Sequence, residues 1–272
     1  MLQLIMIAYK RLSSCPQMDF SMDLATALSD HGILTLIVTY QTEGPRLEHA
    51  LSEANRAGLK PRVALSIHSD DLSAVDLYDS EANLRFRKRE MSPGEIACYW
   101  GHREAWRLLL QDGTDFALVL EDDFHVKDPE LLKSAITSLP ELPIFDILLF
   151  RTHKPRGPVR RWLFSGFSVE ERLFGTTGAT GYLISAKAAR RLLSRPRVFR
   201  PVDEDFIAPW ELGLRVLNLT PEPIGETTEL TSSLEEQRTS RRKGRNRRVH
   251  GAWLKARWQL LSLIYWFRKM RS

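Results

Sequence analysis

Phe116-Ala117-Leu118-Val119-Leu120-Glu121-Asp122-Asp123 is an apolar strand that runs straight into three carboxylates. At the carboxyl end of a strand in an open α/β sheet, such a cluster points into the ligand crevice. There its oxygens can hold a hard divalent cation of the kind that carries phosphates. The same residues also suit a solvated acidic turn. The flanking sequence has to decide between the two.

Upstream, Ser92-Pro93-Gly94-Glu95 reads as a helix start: Ser92 as N-cap, Pro93 at the first helical position, and Glu95 placed to close a capping box. The helix runs to about Gln111 and ends at Asp112-Gly113. Cys98, His102, Ala105 and Leu109 fall on one stripe, so His102 shares a face with apolar neighbours. It is either a core histidine satisfied by a hydrogen bond or a residue beside a phosphate or sugar.

Strand and helix patterns alternate from the start. Strands are expected at Leu2–Ala8, Ile33–Thr39, Pro61–Ile67, Phe145–Phe150, Gly181–Ile184 and Arg215–Leu219, and helices near Asp19–Asp30 and Pro45–Ala57. That order predicts an α/β fold with a mainly parallel sheet flanked by helices. Between Arg151 and Thr177 the sequence reads as one long basic loop. There is no internal repeat, no zinc-ligand spacing and no P-loop.

Glu95-Ile96-Ala97-Cys98, Gly101-His102, Trp106 and the Glu121-Asp122-Asp123 strand together resemble the central motif of glycosyltransferase family 25, the lipooligosaccharide sugar transferases. Asp146-Ile147-Leu148-Leu149, Gly178 to Ser185, the Ala186–Leu193 helix and Pro201-Val202-Asp203 follow in the family's order of blocks, so the resemblance covers Met91 to Pro223. Two departures are visible: only Lys10 and Arg11 match the family's Arg-rich opening turn, and Gly101 stands where the family tends to have Ser.

The resemblance implies a GT-A-like nucleotide-sugar-binding fold and an inverting, metal-dependent sugar transfer, with galactose from UDP-galactose as donor and a lipooligosaccharide, lipid-linked or other glycan as acceptor. It also implies Mn2+ or Mg2+ held by Asp123 with Glu121 and Asp122 in support. Such a cation offsets charge on the departing diphosphate. Asp203 is the candidate base for the acceptor hydroxyl, and it also suits the cap of a helix beginning near Glu204. Lys10, Arg11, His102 and Arg238 are the candidate contacts to the nucleotide sugar.

Composition fits a cytoplasmic enzyme, with only Cys15 and Cys98 present and no signal-peptide pattern at the start. Charge is segregated. Twelve of the 39 basic residues and none of the 34 acidic ones lie from Gln237 onward, which leaves the rest with 27 against 34, a net of −7. The sequence therefore divides into a catalytic domain, 1–237, and a basic aromatic tail, 238–272. In the tail, Val249, Trp253, Leu260, Leu263, Ile264 and Phe267 share one helical face, and only ten residues separate Arg257 from Arg268. A spanning helix needs about 20 apolar residues. An interfacial amphipathic helix fits better, with Arg241, Arg242, Arg247, Arg248, Trp253, Trp258 and Trp266 meeting an anionic membrane at its inner face rather than nucleic acid. A helix docked on the body is the plainer reading of the same pattern. Two other functions share these features: a different metal-dependent nucleotide enzyme such as a nucleotidyltransferase, and a non-enzymatic membrane-bound adaptor.

Overall fold

The structure is a computed structural model that describes residues 23–74, 76–87, 89–151, 156–227 and 248–270. The expected strand Leu2–Ala8, Lys10 and Arg11, and the tail arginines Arg238, Arg241, Arg242 and Arg247 lie outside the described residues.

The helices are α1 (Leu24–Asp30), α2 (Pro45–Arg56), α3 (Ser80–Phe86), α4 (Pro93–Asp112), α5 (Pro129–Thr137), α6 (Ala186–Leu193), α7 (Val202–Phe206) and α8 (Arg248–Met270). The strands are β1 (Ile33–Thr39), β2 (Arg62–Leu65), β3 (Phe116–Glu121), β4 (Phe124–Val126), β5 (Ile147–Leu149), β6 (Arg156–Leu163), β7 (Ser168–Phe174), β8 (Gly181–Ser185), β9 (Val216–Thr220) and β10 (Ile224–Glu226). Eight strands form one sheet in the order β2-β1-β3-β8-β5-β9-β7-β6, and β4 pairs with β10. Within the large sheet only β7 and β8 run against the other six strands, so it is mainly parallel as expected.

Both faces of the sheet are covered. Leu118 and Leu120 of β3 pack into a core with α1, α2 and α5. Ala117 and Val119 pack on the other side with α4 and α6. Burial on both faces is why β3 reads as an unbroken apolar run. Local signals set the helix ends. Ser92 Oγ accepts from Glu95 N at 3.2 Å while Glu95 Oε2 accepts from Ser92 N at 2.9 Å, closing the capping box, and Gly113 ends α4 with φ 83°. Gly101 is there for space: a Cβ on it would lie 2.5 Å from Val38 Cγ1, so α4 sits against β1 at a distance that a serine would not permit without a shift.

Three expectations are corrected. The long loop between Arg151 and Thr177 is largely the hairpin β6–β7. Its charge hid the strands, but the charges are paired across the ladder: Arg161 with Glu170 at 2.6 Å and Arg160 with Glu171 at 3.5 Å. Helix α7 begins at Val202, so Asp203 lies inside its first turn instead of capping it. In the tail, Trp258 and Trp266 turn toward the body and away from the outer face. Trp258 stacks on Phe174 with centroids 5.3 Å apart and donates Nε1–H to Ile207 O at 3.2 Å, while Arg160 lies over the Trp266 ring. Tyr265 donates its hydroxyl to Leu214 O. Trp253, Leu260, Leu263, Ile264 and Phe267 remain exposed on the outer face. No helix among the described residues is long and apolar enough to cross a membrane.

Candidate functional site

Side chains alternate along a strand, so Glu121 shares with Ala117 and Val119 the face covered by α4, and Asp122 turns the other way. The register Val38↔Glu121 in the parallel β1–β3 pair brings the end of β1 and the start of α2 alongside. Asp122 is consumed there. Thr39 Oγ1 donates to its Oδ2 at 2.6 Å and Arg46 Nε donates to its Oδ1 at 2.8 Å. Another Arg46 nitrogen reaches Asp123 Oδ2 at 2.9 Å, so one guanidinium clamps two carboxylates. Sequence reasoning missed Arg46, which no spacing links to the acidic triplet. Its signal was positional: it is the second residue of a Pro-initiated helix, after a glycine at φ 120°.

The electrostatics divide the triplet further. Burial would lower the Arg46 pKa, but Asp122 and Asp123 raise it, so it stays charged. Burial would raise that of Glu121, but hydrogen bonds from His102 and Cys98, with the Arg46 charge, hold it below the usual carboxylate range. Asp123 goes the other way, pushed up to about 6 by burial and the neighbouring Glu121 and Asp122 charges despite Arg46.

These residues line a cleft of about 320 Å³ together with Tyr40, Ser66, His68, Gly94 and Cys98. Tyr40 and His68 meet edge to face, with centroids 5.7 Å apart. The donor chemistry at its floor fits a hard cation. Asp123 Oδ1 is buried without a hydrogen-bond partner, and the Glu121 side chain keeps 25% of its surface exposed. Asp122 does not fit, because both its oxygens are engaged; it is a brace for Arg46. Cys98 Sγ, His102 Nε2 and Glu121 Oε1 also lie within 4.8 Å of one another, a donor group that the spacing in the sequence did not reveal.

His102 is a core histidine. It is fully buried, with Nδ1 at 2.9 Å from Tyr182 Oη and Nε2 at 3.1 Å from Glu121 Oε1. It does not line the cleft, so the structure does not bring it to the place expected for a nucleotide-sugar contact; it reaches the cleft wall only through its hydrogen bond to Glu121. Burial, with the Glu121 and Asp203 charges, pushes the Cys98 thiol up, which keeps it protonated. Asp203 lies near enough to act on Cys98 and Arg89 electrostatically, although it is not part of the cleft lining. Its neighbours are structural. Glu204 pairs with Arg87 at 2.7 Å, and Asp205 is fixed by Arg200 at 2.6 Å and by Tyr99. Glu95 is likewise held by its cap and by Arg89 at 2.6 Å.

Fold and site together define an α/β protein with its ligand cleft at the carboxyl ends of parallel strands and an Arg-clamped acidic floor. A family model described as glycosyltransferase family 25 (LPS biosynthesis protein) matches residues 35–207, more than half of the chain, and the chain belongs to that family. The match includes β1 from Thr35 onward, Arg46, the acidic triplet and Asp203. A glycosyltransferase 25 family member of Anopheles gambiae is 27% identical over 124 residues, 44% of this chain and 21% of that protein, so the chain spans about a fifth of that relative. Among solved structures, mannose-1-phosphate geranyltransferase from Thermus thermophilus is similar at 14% identity and a TM-score of 0.38, over 71% of this chain and 76% of that one. A 4-diphosphocytidyl-2C-methyl-D-erythritol synthase is similar at 16% identity and a TM-score of 0.38, over 76% of this chain and 95% of that one.

Proposed function

We propose that the chain transfers a hexose, galactose from UDP-galactose, with inversion onto a lipooligosaccharide or other glycan acceptor at a membrane surface, using Mn2+ or Mg2+. The observation that carries this reading is the buried, unpartnered Asp123 Oδ1 on the floor of a cleft large enough for part of a nucleotide. Asp123 and Glu121 would hold the cation, which when bound supplies charge neutralisation for the departing diphosphate. Arg46 fixes Asp122 and Asp123 so that the ligand oxygen is held in place before substrate arrives. Asp203, whose charge acts on Cys98 at the cleft wall, accepts the proton of the acceptor hydroxyl.

The tail supports the membrane part of the reading. Helix α8 carries no acidic residue, and its outer stripe leaves Trp253, Leu260 and Phe267 each more than half exposed beside Lys255 and Arg268. An apolar stripe rimmed by basic residues suits an anionic leaflet, where each Lys or Arg contributes about 1 kcal/mol. Such a foothold offsets the repulsion of a body with net charge −7. The deciding experiment is a donor screen. Each common nucleotide sugar is incubated with the protein and manganese, and free nucleotide is measured with and without excess chelator. Nucleotide release from UDP-galactose that stops on chelation and returns with manganese is expected. Full turnover in excess chelator removes the metal assignment, and release from nucleoside triphosphates alone removes the transferase reading.

A further inference from the structure

Trp106, Tyr182 and His102 are all fully buried, and none of them touches the cleft. His102 and Trp106 lie one turn apart on α4, and Tyr182 comes from β8, whose antiparallel register sets it opposite Val119 of β3. Glu121 is two residues further along β3, on the same face. The polar atoms of these four side chains form one chain: Trp106 Nε1 to Tyr182 Oη at 3.1 Å, Tyr182 Oη to His102 Nδ1 at 2.9 Å, and His102 Nε2 to Glu121 Oε1 at 3.1 Å.

The direction of that chain is fixed by its first member. An indole nitrogen can only donate, so Tyr182 Oη accepts from Trp106. Burial raises the Tyr182 pKa well above its usual value, so the phenol keeps its proton and must place it on an acceptor. His102 Nδ1 is that acceptor. The single hydrogen of a neutral imidazole then sits on Nε2 and points at Glu121 Oε1, which also receives the Cys98 thiol at 3.6 Å. Each donor finds an acceptor in this arrangement and in no other: moving the proton to Nδ1 would set two N–H groups on Tyr182 Oη and leave its own hydrogen without a partner.

We propose that Trp106, Tyr182 and His102 act as a one-way hydrogen-bond relay that fixes His102 as its Nε2–H tautomer and pins Glu121 by one oxygen, leaving the other oxygen for a cation in the cleft. His102 is therefore a positioning residue. The part concerning the cation rests on the proposed function above; the relay does not. Supporting side chains of this kind typically cost on the order of 10–100-fold in metal affinity or activity when lost.

The test begins with the metal-free wild-type protein. With 15N-labelled histidine, long-range proton–nitrogen spectra near neutral pH report which ring nitrogens carry hydrogen, and the His102 signals are identified by their loss in His102→Gln. A bare Nδ1 and a protonated Nε2 are expected, with Tyr182→Phe giving a mixture of tautomers. An Nδ1–H tautomer or a doubly protonated ring in the wild type overturns the relay, whether or not the Tyr182 variant folds. Manganese affinity, read from the paramagnetic resonance of the free ion, should fall on the order of 10–100-fold in His102→Leu and return to within a few-fold in His102→Gln, whose side-chain amide restores an N–H toward Glu121. Equal affinity in a folded His102→Leu and the wild type overturns the positioning role. A wild-type protein that shows the Nε2–H tautomer but binds no manganese refutes the proposed function and leaves the relay standing.

Discussion

Asp123→Asn should make the metal-free protein more stable, and the gain should depend on pH. The side chain's ordinary pKa of 3.8 is pushed up to about 6 by burial and by Glu121 and Asp122. An acid whose folded-state pKa lies above its unfolded value holds its proton more tightly when folded. Its contribution is therefore most favourable below pH 3.8 and is lost as the pH rises through 6. A shift of roughly two units at about 1.4 kcal/mol each makes the ionised carboxylate cost the fold up to about 3 kcal/mol in neutral solution. Asparagine keeps an oxygen for Arg46 but loses the charge attraction, which leaves a net gain of about 1–3 kcal/mol, or several degrees in Tm. Thermal unfolding followed by circular dichroism in chelator, at about pH 8 and again near pH 4.5, reads the effect. The variant should melt higher at the first pH and lose most of that advantage at the second. A variant no more stable than wild type at high pH, or one whose advantage ignores pH, refutes the account of a strained carboxylate floor. Manganese should reverse the order by stabilising the wild type alone.

Arg46→Ala strips the shared cation from two largely buried carboxylates, so urea denaturation should show a loss of about 3–5 kcal/mol, with Arg46→Lys intermediate because an ammonium cannot fork between them. Asp203→Asn should lower the transfer rate on the order of 10²-fold to 10⁴-fold while nucleotide-sugar binding in equilibrium dialysis stays near wild type; near wild-type turnover would remove it as the base. Replacing Trp253, Leu260 and Phe267 together by Gln removes three side chains that are each more than half exposed and leaves Trp258, Tyr265 and Trp266 on the body, so the melting temperature should hold while sedimentation with anionic vesicles is lost. Unchanged vesicle binding by that triple variant would end the membrane assignment of the tail.

Much of the architecture was legible because local and tertiary signals agree. Ile33–Thr39 appears with the bounds read from its apolar pattern, Ala186–Leu193 with the bounds that the family resemblance implied, and the Ser92–Glu95 capping box forms as its spacing requires. The rest was hidden for identifiable reasons. The strand Arg156–Leu163 is too charged to read as one, since its stability comes from partners on β7 that only pairing supplies. Strands of three residues such as Phe124–Val126 leave no periodicity to find. Arg46 is far from the acidic triplet in sequence and reaches it only because β1 and β3 are neighbours. The tail showed both its aromatic flank and its apolar stripe, but which one met the body depended on the shape of the body: Trp258 fits against Phe174 and Trp210, and the stripe does not.

Three consecutive acids at the end of a buried strand should be intolerable unless something removes their charge, and the fold answers differently for each. Asp122 is given two partners and becomes structure. Glu121 is bound on one oxygen by His102 and Cys98, which stabilise its ionised form. Asp123 receives only a share of Arg46, keeps a buried oxygen with no hydrogen bond, and carries a pKa near 6. A protein selected for stability alone would have aimed one more donor at that oxygen, or replaced the acid by a neutral residue. Leaving a buried, unsatisfied Asp123 oxygen beside a carboxylate pinned by only one of its oxygens, on the floor of a cleft, places the remaining negative charge where a cation from outside the chain would relieve it. The same charge that weakens the metal-free protein would then become binding energy in the loaded one.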